Sequence, residues 1–225
     1  MSPGAPSSAD GVGGGAGAGG AGAGAGAVPA GAPAARGLLL VLAGPSGVGK
    51  TTIVHEIIRR FGGMFSVSAT TRQRGGNEME GVDYYFVDEP TFQQWINQDR
   101  FLEYAQVFGR TWYGTPEEPV RRALAEGRLV ILDIDVQGAE QVRRKVPDML
   151  GIFVLPPSED ELLKRLRARG RDDEAAIQRR FAESKREIAR AKQGGTFDHF
   201  VTNDTLPRAI EDVAALVAQR RGARA

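Results

Sequence analysis

The sequence predicts a three-layer α/β fold, in which a parallel sheet is flanked by helices on both faces. Short, continuous apolar runs, which are typical of buried parallel strands, recur along the chain. Segments with apolar residues three and four positions apart, the spacing of amphipathic helices, alternate with these runs. The composition, 41% hydrophobic and 25% charged among 225 residues, is that of a globular protein with a buried core.

Three apolar runs and one further short segment are predicted to form the strands of this sheet. The apolar runs are rich in Leu, Val, Ile or Phe, as strands covered on both faces are. The predicted strands are Leu38–Ala43, 129–134, Leu150–Leu155 and His199–Thr202.

The helices are predicted from apolar spacing together with residues that begin or end helices. Ser158 followed by Glu161 forms a capping box, and Pro207 lies in the first turn of the last helix. Gly194 and Gly195 end the helix before it. The predicted helices are Lys50–Phe61, 137–145, 158–169, 173–191 and 206–218.

Residues 66–116 interrupt this alternation and are predicted to form a small, inserted, mixed β-rich subdomain. They hold ten of the chain's 16 aromatic residues, enough for a modest core of their own. The runs at 83–87 and 101–108 are predicted to be antiparallel strands around one short helix. The folded domain then spans 37–218.

The two ends of the chain are expected to lie outside the core. Residues 1–36 contain 12 Gly, 12 Ala and 4 Pro, and bury too little apolar surface to offset an ordering cost of ~1–2 kcal/mol per residue. We expect a disordered tail with no catalytic role, with a misplaced start codon as the alternative. Residues 219–225 are expected to be a frayed C-terminus. The tail does not have the form of a secretory signal, so a cytoplasmic location is expected.

Composition also narrows the function. The net charge of +1 gives no global reason to expect nucleic acid or an anionic membrane, and no apolar run is long enough for a membrane-spanning helix. The absence of Cys excludes disulfides, thiolate zinc sites and a cysteine nucleophile. Arginine, which suits phosphate and carboxylate, outnumbers lysine 24 to 5, although a biased genome composition explains this excess equally well.

The strongest motif follows the first predicted strand. Residues 44–51 read GPSGVGKT and match the P-loop pattern G-x-x-x-x-G-K-[ST]. The glycines let successive backbone N–H groups converge on phosphate oxygens, and the following helix adds its dipole. Lys50 is expected to reach the β and γ phosphates, and the Thr51 hydroxyl to ligate Mg²⁺. The expected ATP-binding residues here are Gly44, Pro45, Ser46, Gly47, Val48, Gly49, Lys50, Thr51 and Thr52.

A phosphate-binding loop does not by itself specify a reaction. A switch-type GTPase also needs a guanine-reading Asn-Lys-x-Asp segment, which the sequence lacks. An ATP-driven motor normally needs a longer chain. The size therefore favours a small kinase acting on a small substrate.

Further segments follow the P-loop in a fixed order: FSVSATTR at 65–72, GVDYYF at 81–86, FLEYA at 101–105, YGT at 113–115, ILDIDVQG at 131–138, PPS at 156–158 and RLRARG at 165–170. Together they resemble guanylate kinase over about residues 37–218. The resemblance implies transfer of the ATP γ-phosphoryl group to GMP, with Mg²⁺, in purine nucleotide metabolism. It also implies a core of 37–65, 117–157 and 187–218, a GMP-binding subdomain at 66–116 and a helical lid at 158–186.

The resemblance implies a guanine-binding site in the inserted subdomain. Ser68, Glu103 and Thr115 match the positions that recognise guanine. The Glu103 carboxylate can accept hydrogen bonds from guanine N1–H and the 2-amino group together. Adenine has an acceptor at N1 and no 2-amino group, so a site of this kind rejects it strongly. A solvated strand residue is the alternative interpretation of Glu103.

Arg72, Tyr84 and Tyr113 match the family's contacts to the GMP phosphate, where arginine offers a bidentate fork. Core packing is the alternative for the two tyrosines. The family usually has a second arginine three positions after the first, but Gly75 occupies that position and Arg74 comes one step early. We expect Arg74 to reach the phosphate, because the glycines that follow it let the loop adjust.

The lid region at 158–186 is rich in arginine, and for most of these residues a solvated, salt-bridged helix pair is the simpler interpretation. Arg165, Arg169 and Arg180, however, match the family's phosphate-clamping positions. Together with Lys50 they are the expected catalytic residues, since arginine stabilises the charge of phosphoryl transfer. Asn203 resembles the adenine-side contact and could equally be a turn residue.

Asp133 and Asp135 lie at the carboxyl end of the second long predicted strand, the edge that faces ligands in parallel sheets. One is expected to hold Mg²⁺ through water and the other to contact the nucleoside. We assign Asp133, with Thr51, to the metal and Asp135 to GMP, and the reverse assignment stays open.

Two other functions stay open at this point. One is a catalytically silent relative that binds peptides as part of a scaffold, against which the intact Lys50 and Thr51 argue. The other is a related kinase for a different phosphorylated acceptor, such as a ribose bisphosphate, against which Ser68 and Glu103 argue. We expect ATP and GMP as ligands, no nucleic acid or membrane partner, and a monomer or small homo-oligomer.

Overall fold

The structure is a computed structural model that describes residues 37–107, 110–168 and 173–223. The predicted tail at 1–36, Arg169 and the last residue of the predicted strand 101–108 lie outside these ranges. The strands are β1 (Leu38–Ala43), β2 (Met64–Phe65), β3 (Ser68–Thr70), β4 (Tyr84–Phe86), β5 (Phe101–Val107), β6 (Thr111–Pro116), β7 (Leu129–Asp133), β8 (Leu150–Leu155) and β9 (His199–Thr202). The helices are α1 (Lys50–Phe61), α2 (Glu89–Asn97), α3 (Glu117–Ala125), α4 (Val136–Lys145), α5 (Glu159–Ala168), α6 (Glu174–Gln193) and α7 (Leu206–Gly222).

The main sheet has the order β2-β7-β1-β8-β9, and its neighbouring strands are parallel. Side chains alternate between the two faces of a strand. The even-numbered residues of the fully buried β1 therefore pack with α1 and α7, and the odd-numbered ones with α3 and α4. The predicted three-layer α/β fold is confirmed. Because the strands are parallel, the segments that follow β1, β7 and β9 meet at one edge of the sheet.

The inserted segment forms a second sheet of order β4-β3-β6-β5. The prediction that its strands are antiparallel is correct for β5 with β6 and for β3 with β6, but wrong for β4, which pairs parallel to β3. The physical reason is the connection between β3 and β4. The segment 71–83 is long enough to bring the chain back to the starting end of β3, as a parallel pair requires, whereas only three residues separate β5 from β6 in the chain.

Aromatic side chains fill the small core of this sheet. Phe92 of α2 and Phe101 of β5 are buried and stack with ring centroids 4.5 Å apart. Trp95, Tyr104 and Trp112 pack around them. The segment 66–116 thus has the modest core of its own that its composition predicts.

Several helix ends differ from the predicted ones. Ser158 caps α5 as predicted, since its Oγ accepts a hydrogen bond of 3.1 Å from Glu161 N–H, whereas the Glu161 side chain accepts from Arg165. Helix α3 was not predicted. The last helix does not end at residue 218 but continues to Gly222, so residues 219–222 are not frayed. Its last turn is held in place because Arg220 lies 3.6 Å from Asp198 and Arg221 donates 3.1 Å to the Phe61 carbonyl. None of the helices within the described ranges combines the length and apolar character needed to cross a bilayer.

Candidate functional site

The segment between β1 and α1 forms a tight loop that depends on its glycines. Gly44, Gly47 and Gly49 all have positive φ, at 147°, 85° and 97°. A Cβ on Gly44 would lie 2.5 Å from the carbonyl oxygen of Val154, and one on Gly49 would lie 2.6 Å from Nδ2 of Asn203. The positive φ therefore disfavours side chains at all three positions, and close packing adds to this at Gly44 and Gly49.

Lys50, the first residue of α1, folds back over this loop. Its Nζ donates a hydrogen bond of 2.6 Å to the carbonyl of Gly44 and lies 3.7 Å from Oδ1 of Asp133. A concave cradle of about 240 Å³ surrounds the loop. Its lining residues are Ser46, Gly47, Val48, Gly49, Lys50, Thr51, Thr52 and Arg165. Backbone amides, a helix N-terminus, a lysine and an arginine together make a strongly anion-binding surface.

Thr51 and Asp133 offer oxygen donors at the edge of the cradle. Thr51 is exposed in the first turn of α1, and the Asp133 carboxylate ends β7 beside Lys50. Burial raises the pKa of Asp133, an effect that the charge of Lys50 opposes. A hydroxyl and a carboxylate are hard oxygen ligands of the kind that Mg²⁺ prefers when phosphate and water complete its shell. The donor set therefore fits Mg²⁺.

Two further residues approach the loop from other parts of the chain. Asn203, after β9, is 3% exposed and donates 2.7 Å from Nδ2 to the carbonyl of Val48. Arg165 of α5 donates 3.2 Å to the backbone carbonyl of Asn203 and pairs with Glu161 at 2.9 Å. Arg165, an expected catalytic residue, and Asn203, an expected ATP-binding residue, both lie against the loop.

In the inserted subdomain, Glu103 is buried. Its Oε1 accepts a hydrogen bond of 2.6 Å from the Thr115 hydroxyl, which lies opposite in the β5–β6 register. Burial raises the pKa of Glu103 to about 7; the Thr115 hydrogen bond lowers it and the charge of Asp135 raises it. Asp135 caps α4 by accepting 2.8 Å from Gly138 N–H. Ser68, in β3, is half-buried. Glu103 is therefore not a solvated strand residue.

Arg72, Tyr84 and Tyr113 lie together in the same subdomain. Arg72 donates two hydrogen bonds, of 3.0 and 2.6 Å, to the carboxylate of Glu78. Its guanidinium lies 5.4 Å from the ring centre of Tyr84, whose ring is 5.9 Å from that of Tyr113. Burial raises the pKa of Tyr84. The fork of Arg72 is thus engaged by a carboxylate, which a phosphate with similar geometry can replace.

Gly75 occupies the position at which the family usually has a second phosphate-binding arginine, so only backbone atoms are available there. Gly75 N–H donates 2.7 Å to Glu78, and a Cβ on Gly75 would lie 2.9 Å from that carboxylate. Arg74 is exposed, and none of the described residues forms a hydrogen bond or ion pair with its guanidinium. That Arg74 contacts a phosphate stays a prediction.

A cleft of about 1020 Å³ lies between the β5–β6 pair and α6. Tyr104, Trp112, Asp135 and Arg180 are among its lining residues. Arg180 thus faces this cleft, whereas Arg165 lines the phosphate cradle. The structure does not bring these two arginines into one cavity, and Arg169 lies outside the described residues.

Glu187 of α6 is a carboxylate that sequence reasoning missed. It lines the cleft together with Asp135. Burial raises its pKa to about 7, the charge of Lys50 lowers it, and Asp135 with a neighbouring carboxylate raises it. The helical spacing of Glu187 could have indicated that it is buried. It lies three residues after Ser184 and four before Ala191, and both of these are on the buried stripe of α6.

The main sheet is parallel and carries a phosphate-binding loop after its central strand, and an inserted sheet buries a carboxylate. These features define a P-loop nucleotide-binding protein of the α/β class.

Comparison with known proteins narrows this class to one family. A family model described as guanylate kinase matches residues 36–220. The chain belongs to the guanylate kinase family. A curated guanylate kinase from Thermus thermophilus is 48% identical over 187 residues, 83% of this chain and 83% of that protein. One from Myxococcus xanthus is 46% identical over 186 residues, 82% of this chain and 88% of that protein. A crystal structure of guanylate kinase from Anaplasma phagocytophilum has a TM-score of 0.63 and 27% identity, and covers 83% of this chain and 87% of that one.

Proposed function

We propose that this protein transfers the γ-phosphoryl group of ATP to GMP, and to dGMP, giving ADP and GDP or dGDP. The observation that carries the proposal is the presence, in one chain, of an anion-binding cradle at residues 44–51 and a buried carboxylate, Glu103, in a separate subdomain. The first suits a triphosphate. The second suits the N1–H and 2-amino groups of guanine.

The cradle binds the phosphates of ATP through the loop amides and Lys50. Lys50 leaves its contact with the Gly44 carbonyl and reaches the β and γ phosphates. Arg165, already on the rim of the cradle, adds a positive charge. Thr51 and Asp133 would hold Mg²⁺ at the edge of the cradle. When bound, Mg²⁺ neutralises the negative charge of the phosphate oxygens.

GMP binds in the inserted subdomain. Glu103 accepts from guanine, and Ser68, Thr115 and Asp135 line the base. The phosphate replaces Glu78 on the fork of Arg72. The remaining phosphate contacts are Arg74, Tyr84 and Tyr113.

The transfer needs positioning and electrostatic stabilisation more than covalent catalysis. A GMP phosphate oxygen attacks the γ-phosphorus in line, and the bond from that phosphorus to the β–γ bridging oxygen breaks. Arg180 and Arg169 stabilise the charge on the transferred group. Closure of the lid excludes water, which would otherwise take the phosphoryl group.

A coupled assay of ADP release with GMP, dGMP, AMP, UMP and a ribose bisphosphate as acceptors tests the proposal. We expect rapid turnover with GMP and dGMP and almost none with the others. ATP consumption that GMP does not accelerate would refute the proposal. Preferred turnover of the ribose bisphosphate would identify a different kinase. We propose a cytoplasmic enzyme, monomeric or a small homo-oligomer, with no nucleic-acid partner.

A further inference from the structure

The side chain of Asn203 is packed against the backbone of the phosphate-binding loop. Its Nδ2 donates 2.7 Å to the carbonyl of Val48, and a Cβ on Gly49 would lie 2.6 Å from the same nitrogen. Val48 itself is fully buried. The amide therefore holds the two residues that precede Lys50.

The backbone of Asn203 makes two further connections. Its N–H donates 2.8 Å to the carbonyl of Leu155, at the end of β8. Its carbonyl accepts 3.2 Å from the guanidinium of Arg165, which lines the cradle from α5. One residue thus links the sheet, the phosphate-binding loop and the first lid helix.

The Asn203 amide is not accessible to a nucleotide base in this arrangement. The residue is 3% exposed, and Oδ1 is buried without a hydrogen-bond partner among the described residues. A buried, unsatisfied acceptor costs stability, so the Oδ1 side of the amide works against folding. Its Nδ2–H, by contrast, has a specific acceptor in the loop.

We propose that Asn203 is a positioning residue for the phosphate cradle, acting on the triphosphate through Val48 and Arg165 and not by contact with adenine. The amide fixes the Val48–Gly49 peptide, so that the loop N–H groups converge on phosphate oxygens. The Asn203 carbonyl keeps Arg165 at the rim. The inference rests on the proposed function of the cradle as the site of the ATP phosphates.

Binding measurements on two variants of the full chain test this role. The ligands are Mg-ATP, inorganic tripolyphosphate with Mg²⁺, and GMP. Asn203→Ala removes the amide. Asn203→Asp keeps its shape but places an acceptor against the Val48 carbonyl. Thr202→Ala, at an exposed neighbour on β9, is the control.

We expect each Asn203 variant to lose affinity on the order of tenfold or more, and the factor should be the same for Mg-ATP as for tripolyphosphate. GMP affinity and the control should be unchanged. A loss confined to Mg-ATP would assign Asn203 to adenine and overturn the proposal, as would unchanged affinity for both ligands. Loss of GMP binding as well, in both variants, would indicate a purely structural role and would also overturn it. Failure of the unmodified protein to bind either triphosphate would instead refute the proposed function.

Discussion

Gly138, in the first turn of α4, lies directly against the carboxylate of Glu103 on β5: a Cβ at residue 138 would be 2.9 Å from Glu103 Oε2. The other oxygen of the carboxylate accepts from Thr115. The carboxylate is thus held between a helix of the main domain and a strand of the inserted sheet. Its orientation depends on both.

We predict that Gly138→Ala raises the KM for GMP about tenfold or more, because the added methyl group displaces the Glu103 carboxylate. The KM for ATP should be unchanged. The thermal unfolding midpoint should change little, since alanine favours a helix interior by about 1 kcal/mol over glycine and offsets part of the crowding. Gly222→Ala, at a helical glycine with nothing near the added methyl, is the control. An unaltered KM for GMP would contradict the placement of guanine at Glu103.

The pKa of Glu103, about 7 against an ordinary value of 4.5, predicts a pH dependence of GMP binding. Guanine N1–H and its amino group donate to the charged carboxylate. The KM for GMP should therefore fall as pH rises from about 6 to 8, and Glu103→Gln should abolish this dependence and weaken binding. Steady-state kinetics over this range make the measurement. Persistence of the pH dependence in Glu103→Gln would assign it to another group.

The same shift predicts an effect on folding in the absence of GMP. When the pKa of a carboxyl group is higher in the folded state than in the unfolded state, its stabilising contribution is complete at pH values below the unfolded-state pKa. That contribution is lost as pH rises through the folded-state pKa. The free energy of unfolding should thus decrease between about pH 4.5 and 7 because of Glu103, and less steeply in Glu103→Gln. Urea unfolding at several pH values compares the two slopes, and equal slopes would argue against the shifted pKa.

Arg74 stands one position before the family's second phosphate arginine, and its side chain is exposed. We predict that Arg74→Ala raises the KM for GMP about tenfold through loss of a charge-assisted contact, with little change in kcat. Arg122→Ala, at an exposed arginine of α3, is the control. An unchanged KM in Arg74→Ala would show that Arg72 binds the phosphate without a second arginine.

Arg180 lines the cleft beside α6. We predict that Arg180→Ala lowers kcat on the order of 10³-fold, because an arginine of this kind acts on charge in the transition state. The KM for ATP should change far less. Arg167→Ala, which removes an exposed arginine paired with Glu174, should leave kcat nearly unaltered. Equal kcat for Arg180→Ala and the unmodified protein would remove Arg180 from the catalytic residues.

Much of the fold was predictable because its signals are local. The apolar runs at Leu38–Ala43, Leu150–Leu155 and His199–Thr202 coincide with the observed strands. The family indicated by the ordered motifs is confirmed by the match over residues 36–220. The parallel pairing of β4 and the extension of α7 were not predictable, since they depend on a long connection and on contacts with Asp198 and Phe61.

Local sequence patterns predict the alternation of strands and helices in the main sheet apart from β2 and α3, the glycine-rich loop that precedes Lys50, and the residue types available for phosphate and guanine. These depend on the periodicity and backbone freedom of neighbouring residues. Three features emerge only from the folded chain: Glu103 is buried against Thr115 and Gly138, the charge of Lys50 lowers the pKa of Glu187, and Asn203 donates a hydrogen bond to the phosphate-binding loop. Burial, and the pKa and hydrogen bonding that follow from it, arise from packing between segments far apart in the chain, which no local pattern encodes.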